Sequence, residues 1–135
     1  METTLQCVVV TPERAVLDEP ADFVVVPMYD GELGVAAFRQ PLIGRLGFGE
    51  LRITKDRQTR NLFVDGGFVQ VRDNIVTVLT SKAVELKDIN LAAAQATLTD
   101  KTVATTPESM EELAANQQRA RVQIRLAHKA RAQAG

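Results

Sequence analysis

Short runs of β-branched and apolar residues, separated by turn residues, fill the chain as far as about residue 80. "LQCVVV" is such a run, ended by Thr11-Pro12-Glu13. "DFVVVPM" follows Pro20 and reaches Pro27, a residue suited to a sheet edge or a strand end. "LRI" and "NLFVDGGFVQV" continue the pattern. "VRDNIVTVL" reads as two strands around a turn at Asp73-Asn74. In "NIVTVLT", Ile75, Thr77 and Leu79 fall on one face, and Val76, Val78 and Thr80 on the other. Both sets are largely apolar or β-branched, so this strand is expected to lie between two layers. Turn signals every ~8–12 residues predict a sandwich or barrel.

The pattern changes near residues 81–87. "NLAAAQATL" predicts a short helix with Asn90 as its N-cap and Leu91, Ala94 and Leu98 on one face. A Thr-rich connector, "TDKTVATTPES", leads to a second helix start. There Thr106 is the N-cap, Pro107 the first helical residue, and Glu108, Glu111 and Glu112 lie in the opening turns. If this helix reaches Gln133 it is about 40 Å long. Its apolar stripe is thin: Met110, Leu113, Ala120, Ile124 and Ala127. Small residues bury little area, at roughly 25 cal/mol per Å². The helix is therefore expected to dock weakly.

Charge sharpens this picture. The 135 residues carry a net −1. Residues 119–135 hold Arg119, Arg121, Arg125, Lys129 and Arg131 and no acid, a local +5 that leaves −6 for the rest of the chain. Arg121, Arg125 and Lys129 form one row at i, i+4, i+8. The row suits either a solvated helix end favoured by the dipole or docking onto an acidic protein surface or nucleic acid. No apolar run approaches the ~20 residues of a membrane span, and no signal peptide is expected. Cys7 is the single cysteine, so an internal disulfide is excluded and a reducing compartment is expected.

Catalytic chemistry is sparse. Tyr29 to Ile53 holds five of the eight glycines, with Asp30 and Glu32 flanking the first. Those acids belong to ordinary turn sequences, and no phosphate-binding glycine motif is present. Gly66-Gly67 is expected to mark a bulge. One histidine (His128) and one cysteine make a metal site or a nucleophile triad improbable. His128 reads as solvated and Cys7 as buried and inert. One tyrosine and no tryptophan leave few platforms for stacking nucleic-acid bases. No catalytic residue, metal ligand or cofactor is expected.

Several stretches resemble the epsilon subunit of the bacterial F-type ATP synthase (the delta subunit in mitochondria). They are Thr11-Pro12-Glu13, Pro27 with Asp30-Gly31-Glu32-Leu33-Gly34, Pro41-Leu42, Gly49-Glu50-Leu51-Arg52-Ile53 and Gly66-Gly67-Phe68-Val69-Gln70-Val71. The resemblance implies an α+β fold: a ten-stranded N-terminal β-sandwich over residues 1–86, then a C-terminal antiparallel two-helix hairpin over residues 87–135. It implies a non-catalytic central-stalk subunit that couples proton flow to ATP synthesis and restrains ATP hydrolysis through its C-terminal helices. The implied partners are the gamma subunit, the c-subunit rotor ring and, when the helix extends, the beta and alpha subunits of the catalytic head. The implied location is peripheral, on the cytoplasmic face of the bacterial inner membrane, without membrane insertion. Asp30, Gly31 and Glu32 would face the ring; Arg39, Gln40 and Pro41 would face gamma. Arg121, Arg125 and Lys129 would dock on an acidic surface of the head.

Two stretches depart from the family pattern. The usual loop Gly-Ile-Leu-Pro-Gly-His-Ala-Pro is here Gly34-Val35-Ala36-Ala37-Phe38-Arg39-Gln40-Pro41, with Ala37 and Arg39 in place of the customary proline and histidine. Arg39 places a fixed charge where a neutral or titrating ring is usual. Members that bind ATP resemble Ile/Leu-Asp-x-x-Arg-Ala, whereas this chain reads Ile89-Asn90-Leu91-Ala92-Ala93-Ala94. Weak or no ATP binding is expected, with any residual contacts at Arg121 and Arg125. The alternative function, from another class, is a free-standing sandwich that binds nucleic acid or an acidic protein through its basic helix.

Overall fold

The computed structural model describes residues 4–99 and 103–134, and the β-branched runs form strands. They are β1 (Leu5–Val10), β2 (Ala15–Ala21), β3 (Phe23–Met28), β4 (Gly31–Val35), β5 (Leu42–Lys55), β6 (Gln58–Arg72), β7 (Ile75–Leu79) and β8 (Ala83–Glu85). A 3-10 turn (Leu86–Asp88) and helices α1 (Leu91–Leu98) and α2 (Pro107–Ala134) follow. The chain divides into two compact units, Met1–Glu85 and Leu86–Gly135.

In the first unit the strands hydrogen-bond in the order β2-β1-β7-β6-β5-β3-β4, with β8 added to β6. β1 and β7 run parallel; the other pairs are antiparallel. In a flat sheet β2 and β3 would lie five strand spacings apart, about 24 Å. Yet only Asp22 joins Ala21 to Phe23. Asp22 also donates its backbone N–H to the Thr54 carbonyl at 2.7 Å. The sheet must therefore curl until its ends meet, as a sandwich. Leu5, Cys7, Val9, Val24, Val26, Leu51, Leu62, Val69, Val71, Val76 and Val78 are sealed inside.

The expected ten strands are eight, in a mixed sheet. The reason lies in β5 and β6, which pair along nearly their whole length. Their ladder skips one step, opposite Gly47 and Gly66, between the pairs Leu46↔Gly67 and Phe48↔Asp65. Both strands bend there but do not end; dividing each at that point would give ten. Beside the bend β6 exchanges neighbours, pairing with β7 from Phe68 onward and with β8 through Leu62–Val64. Gly67 makes the exchange possible. Its φ is +110°, and a Cβ there would overlap the Leu79 carbonyl oxygen.

The second unit has the expected caps. The Ala93 N–H donates to Asn90 Oδ1 at 3.0 Å, and the Ser109 N–H to Thr106 Oγ1 at 3.1 Å. The start of α1 shares a small hollow with the C-terminal part of α2, where Leu86, Ile89 and Leu91 meet Ala127, Ala130 and Arg131. The two helices are therefore antiparallel. Their buried residues are Ala94, Ala120, Leu126 and Ala127. Leu126 joins a stripe in which it was not expected, and Met110 leaves it, 58% exposed. Length explains the loss: α1 has 8 residues and α2 has 28. At 1.5 Å per residue α1 covers about 12 Å of a 42 Å helix. Of the connector, residues 100–102 lie outside the described residues.

Gly67→Ala is expected to destabilise the chain by about 3 kcal/mol or more, because strain at positive φ adds to the overlap. Urea unfolding of the variant beside the parent chain measures this.

Candidate interaction surfaces

Asp30 lies in the β3–β4 turn and Glu32 follows it as the second residue of β4. Glu32 accepts hydrogen bonds from Arg52 at 3.0 and 3.4 Å, and Arg52 also donates to Glu50 at 3.0 Å. Glu50 is only 7% exposed and takes a further bond from Asn61 Nδ2 at 3.0 Å. Arg52 thus ties the start of β4 to a buried carboxylate. Both carboxylates favour the charged guanidinium, Glu32 more strongly than Glu50, and hold its pKa above its ordinary value. Asp30 has no hydrogen bond or ion pair among the described residues and stands in solvent. Beside it the Arg45 guanidinium lies 4.7 Å from the centre of the exposed Tyr29 ring.

Arg39, Gln40 and Pro41 are exposed on the loop between β4 and β5. The five residues of β4 separate this loop from the acidic turn, about 17 Å of extended chain. Two expected contact groups therefore sit at opposite ends of one strand. Pro41 opens a shallow groove of about 560 Å³ lined by Leu42, Ile43, Gln70, Val71 and Arg72.

Sequence patterning misread β7. Val76 and Val78 are fully buried, but apolar side chains on the opposite side are exposed among the described residues. Ile75 is 43% exposed, Leu79 48%, Phe68 57% and Ile43 75%. Register puts them on one outer face: Phe68 pairs with Leu79, Ile75 with Arg72, and Ile43 with Gln70. The double apolar alternation of "NIVTVL" contained the signal. It shows that both faces avoid water, but not whether the second cover comes from the same chain.

Arg121 and Arg125 are exposed on α2, as is His128. Lys129 is half-buried and already engaged within the chain, so it is not a free end of the basic row. The hollow at the helix pair has a volume of about 160 Å³. Ligand pockets usually begin near 300 Å³. Cys7 is fully buried. Burial, with smaller effects from Glu19 and Asp18, pushes its thiol up to about 12. It is neutral and unreactive at ordinary pH. Among the described residues no three His, Cys, Asp or Glu side chains gather to hold a metal. Among the same residues no helix is long and apolar enough to cross a membrane.

Residues 4–86 match the family model described as "ATP synthase, Delta/Epsilon chain, beta-sandwich domain". The chain belongs to this ATP synthase delta/epsilon family. A relative named ATP synthase epsilon chain, from Rhodopirellula baltica, is 47% identical over 124 residues, covering 90% of this chain and 97% of its own length. Another of that name, from a Synechococcus strain, is 38% identical over 128 residues, covering 92% and 93%. Among solved structures, a chain of the Tetrahymena thermophila mitochondrial ATP synthase central stalk and c-ring superposes with a TM-score of 0.74. It has 15% identity and covers 91% of this chain and 96% of that one. A chain of the Euglena gracilis mitochondrial ATP synthase gives 0.67 at 19% identity, covering 100% and 84%. These two structures share the fold with the delta/epsilon member described here.

Arg52→Ala is expected to lower stability by about 1–2 kcal/mol, because a buried carboxylate loses its cation. Glu32→Ala breaks only the exposed arm and should cost less than about 0.5 kcal/mol. Equal losses in urea unfolding would show that Glu50 does not depend on Arg52.

Proposed function

We propose that this chain is the epsilon-type, non-catalytic subunit of the central stalk of a proton-translocating F-type ATP synthase. The observation that carries this reading is the apolar outer face of Ile43, Phe68, Ile75 and Leu79 on an otherwise closed sandwich. A contiguous patch of this kind is a protein-binding surface in search of its cover. The family and its relatives named epsilon chain support the gamma subunit as that cover. Arg39, Gln40 and Pro41 border the face and join the same contact. Asp30, Gly31 and Glu32, at the far end of β4, suit a different partner, the c-subunit ring. The whole assembly would sit peripherally at the cytoplasmic face of the bacterial inner membrane.

The helical unit is the regulatory part in this reading. Three of the four buried residues of α1 and α2 are alanines, with Leu126 the fourth, so little apolar area opposes the unit's opening. Exposed Arg121 and Arg125 would then meet an acidic surface on the catalytic head. Charge plus a weakly held element gives two states that binding can bias. The small hollow and the missing acid and arginine near Asn90 favour weak ATP binding or none. The alternative of a free-standing nucleic-acid module draws no support from the family match.

Deletion of residues 109–135 is expected to raise ATP hydrolysis by the assembled enzyme several-fold while leaving the sandwich bound. Unchanged hydrolysis and unchanged coupling to proton pumping would remove the regulatory role and leave a structural one.

A further inference from the structure

Phe38 adopts φ +66°. Four other non-glycine residues among those described have positive φ: Asp56, Arg57, Asp73 and Asn74. Those four are the central pairs of two-residue hairpin turns, closed by Lys55↔Gln58 and Arg72↔Ile75, where both positions require that conformation. Phe38 is the second residue of the Ala37–Phe38 turn in the β4–β5 loop, a position where positive φ favours glycine rather than an aromatic residue. A bulky side chain in the left-handed region is an outlier. Burial does not compensate, because the residue is 69% exposed.

The loop is nonetheless held in place. The Phe38 N–H donates to Asn74 Oδ1 at 2.6 Å, and the Asn74 carbonyl accepts from the Gln6 N–H at 2.8 Å. The residue after Asn74 is Ile75, and the loop ends at Pro41, two residues before Ile43. An exposed aromatic residue thus borders the apolar outer face and is fixed there at a cost to the backbone. Glycine would make the same turn without strain, so a bulky side chain held in this conformation marks a functional position. Cations set the character of the rim: Arg39, the next residue, is exposed, and Arg72 is paired with Asp73 at 3.5 Å.

We propose that Phe38 is a preformed aromatic anchor that enters an apolar pocket with acidic side chains at its edge, on the protein that covers the outer face. This rests on the stalk reading, under which that protein is the gamma subunit. A backbone already held in its binding form loses little freedom on association, and desolvated aromatic residues dominate interface energies. Basic side chains around it select an acidic rim.

The test pairs affinity with stability in the full chain. Phe38→Gly and Phe38→Ala are each titrated with isolated gamma by calorimetry, and the thermal midpoint of each free chain is recorded. Both variants are expected to weaken binding by at least about fivefold. Phe38→Gly is expected to melt no lower than the parent chain, because glycine relieves the strain. If either variant binds gamma with less than a fivefold loss, the anchor is disproved and the stalk reading stands. A Phe38→Gly chain that melts lower than the parent makes the ring a structural element and also overturns the anchor. If the parent chain itself does not bind gamma, the stalk reading fails and the anchor fails with it.

Discussion

One residue, Asp22, spans the gap between the first and sixth strands of the sheet order. That covalent constraint decides the rest of the sandwich. The sheet has to curl so that its edges approach, and curling demands bends in the two long strands. Gly47 and Gly66 sit at the bend, and Gly67 lets the Leu79 backbone pass against β6. Closure also sets the inside and the outside. Val76 and Val78 go to the core, which leaves Ile75 and Leu79 facing outward. The apolar outer face is a consequence of the same closure that makes the core.

The two units differ in how firmly they are held. The sandwich is fixed by long antiparallel ladders and a core of branched side chains. Three of the four buried residues of α1 and α2 are alanines, and α1 reaches less than half the length of α2. A rigid body that carries contacts, joined to a helical element of low docking energy, suits a part that is mounted on a rotor and also senses its state. Asp30 and Arg39 stand at opposite ends of β4, so a single strand can space two different partners.

Much of this was legible in the residues. Asn90 and Thr106 announced the helix starts, because side-chain oxygens at those positions satisfy backbone donors in any context. Asp73-Asn74 announced a turn for an equally local reason, whereas Gly66-Gly67, expected as a bulge, keeps the β5–β6 register and instead lets the Leu79 backbone approach. Misreadings came where tertiary structure decides. The strand count depended on whether β5 and β6 bend or break. The placement of β7 depended on which chain covers its second face. Met110 was assigned to the stripe by periodicity, but α1 is too short to cover the whole of α2. Among the candidate surfaces, Glu32 looked like a bare acid until Arg52 was seen to clamp it to Glu50. Neither spacing nor composition could join residues so far apart in the chain.

The central claim is that the outer face of Phe68 and Leu79 is the buried side of a stalk complex. Calorimetric titration of the full chain with isolated gamma at several temperatures tests it most directly. Burial of an apolar face predicts one-to-one binding with a negative heat-capacity change. Phe68→Asp combined with Leu79→Asp should abolish both while the chain stays folded, since both side chains already face water. Binding of the double variant with the parent's affinity and heat capacity would contradict the account.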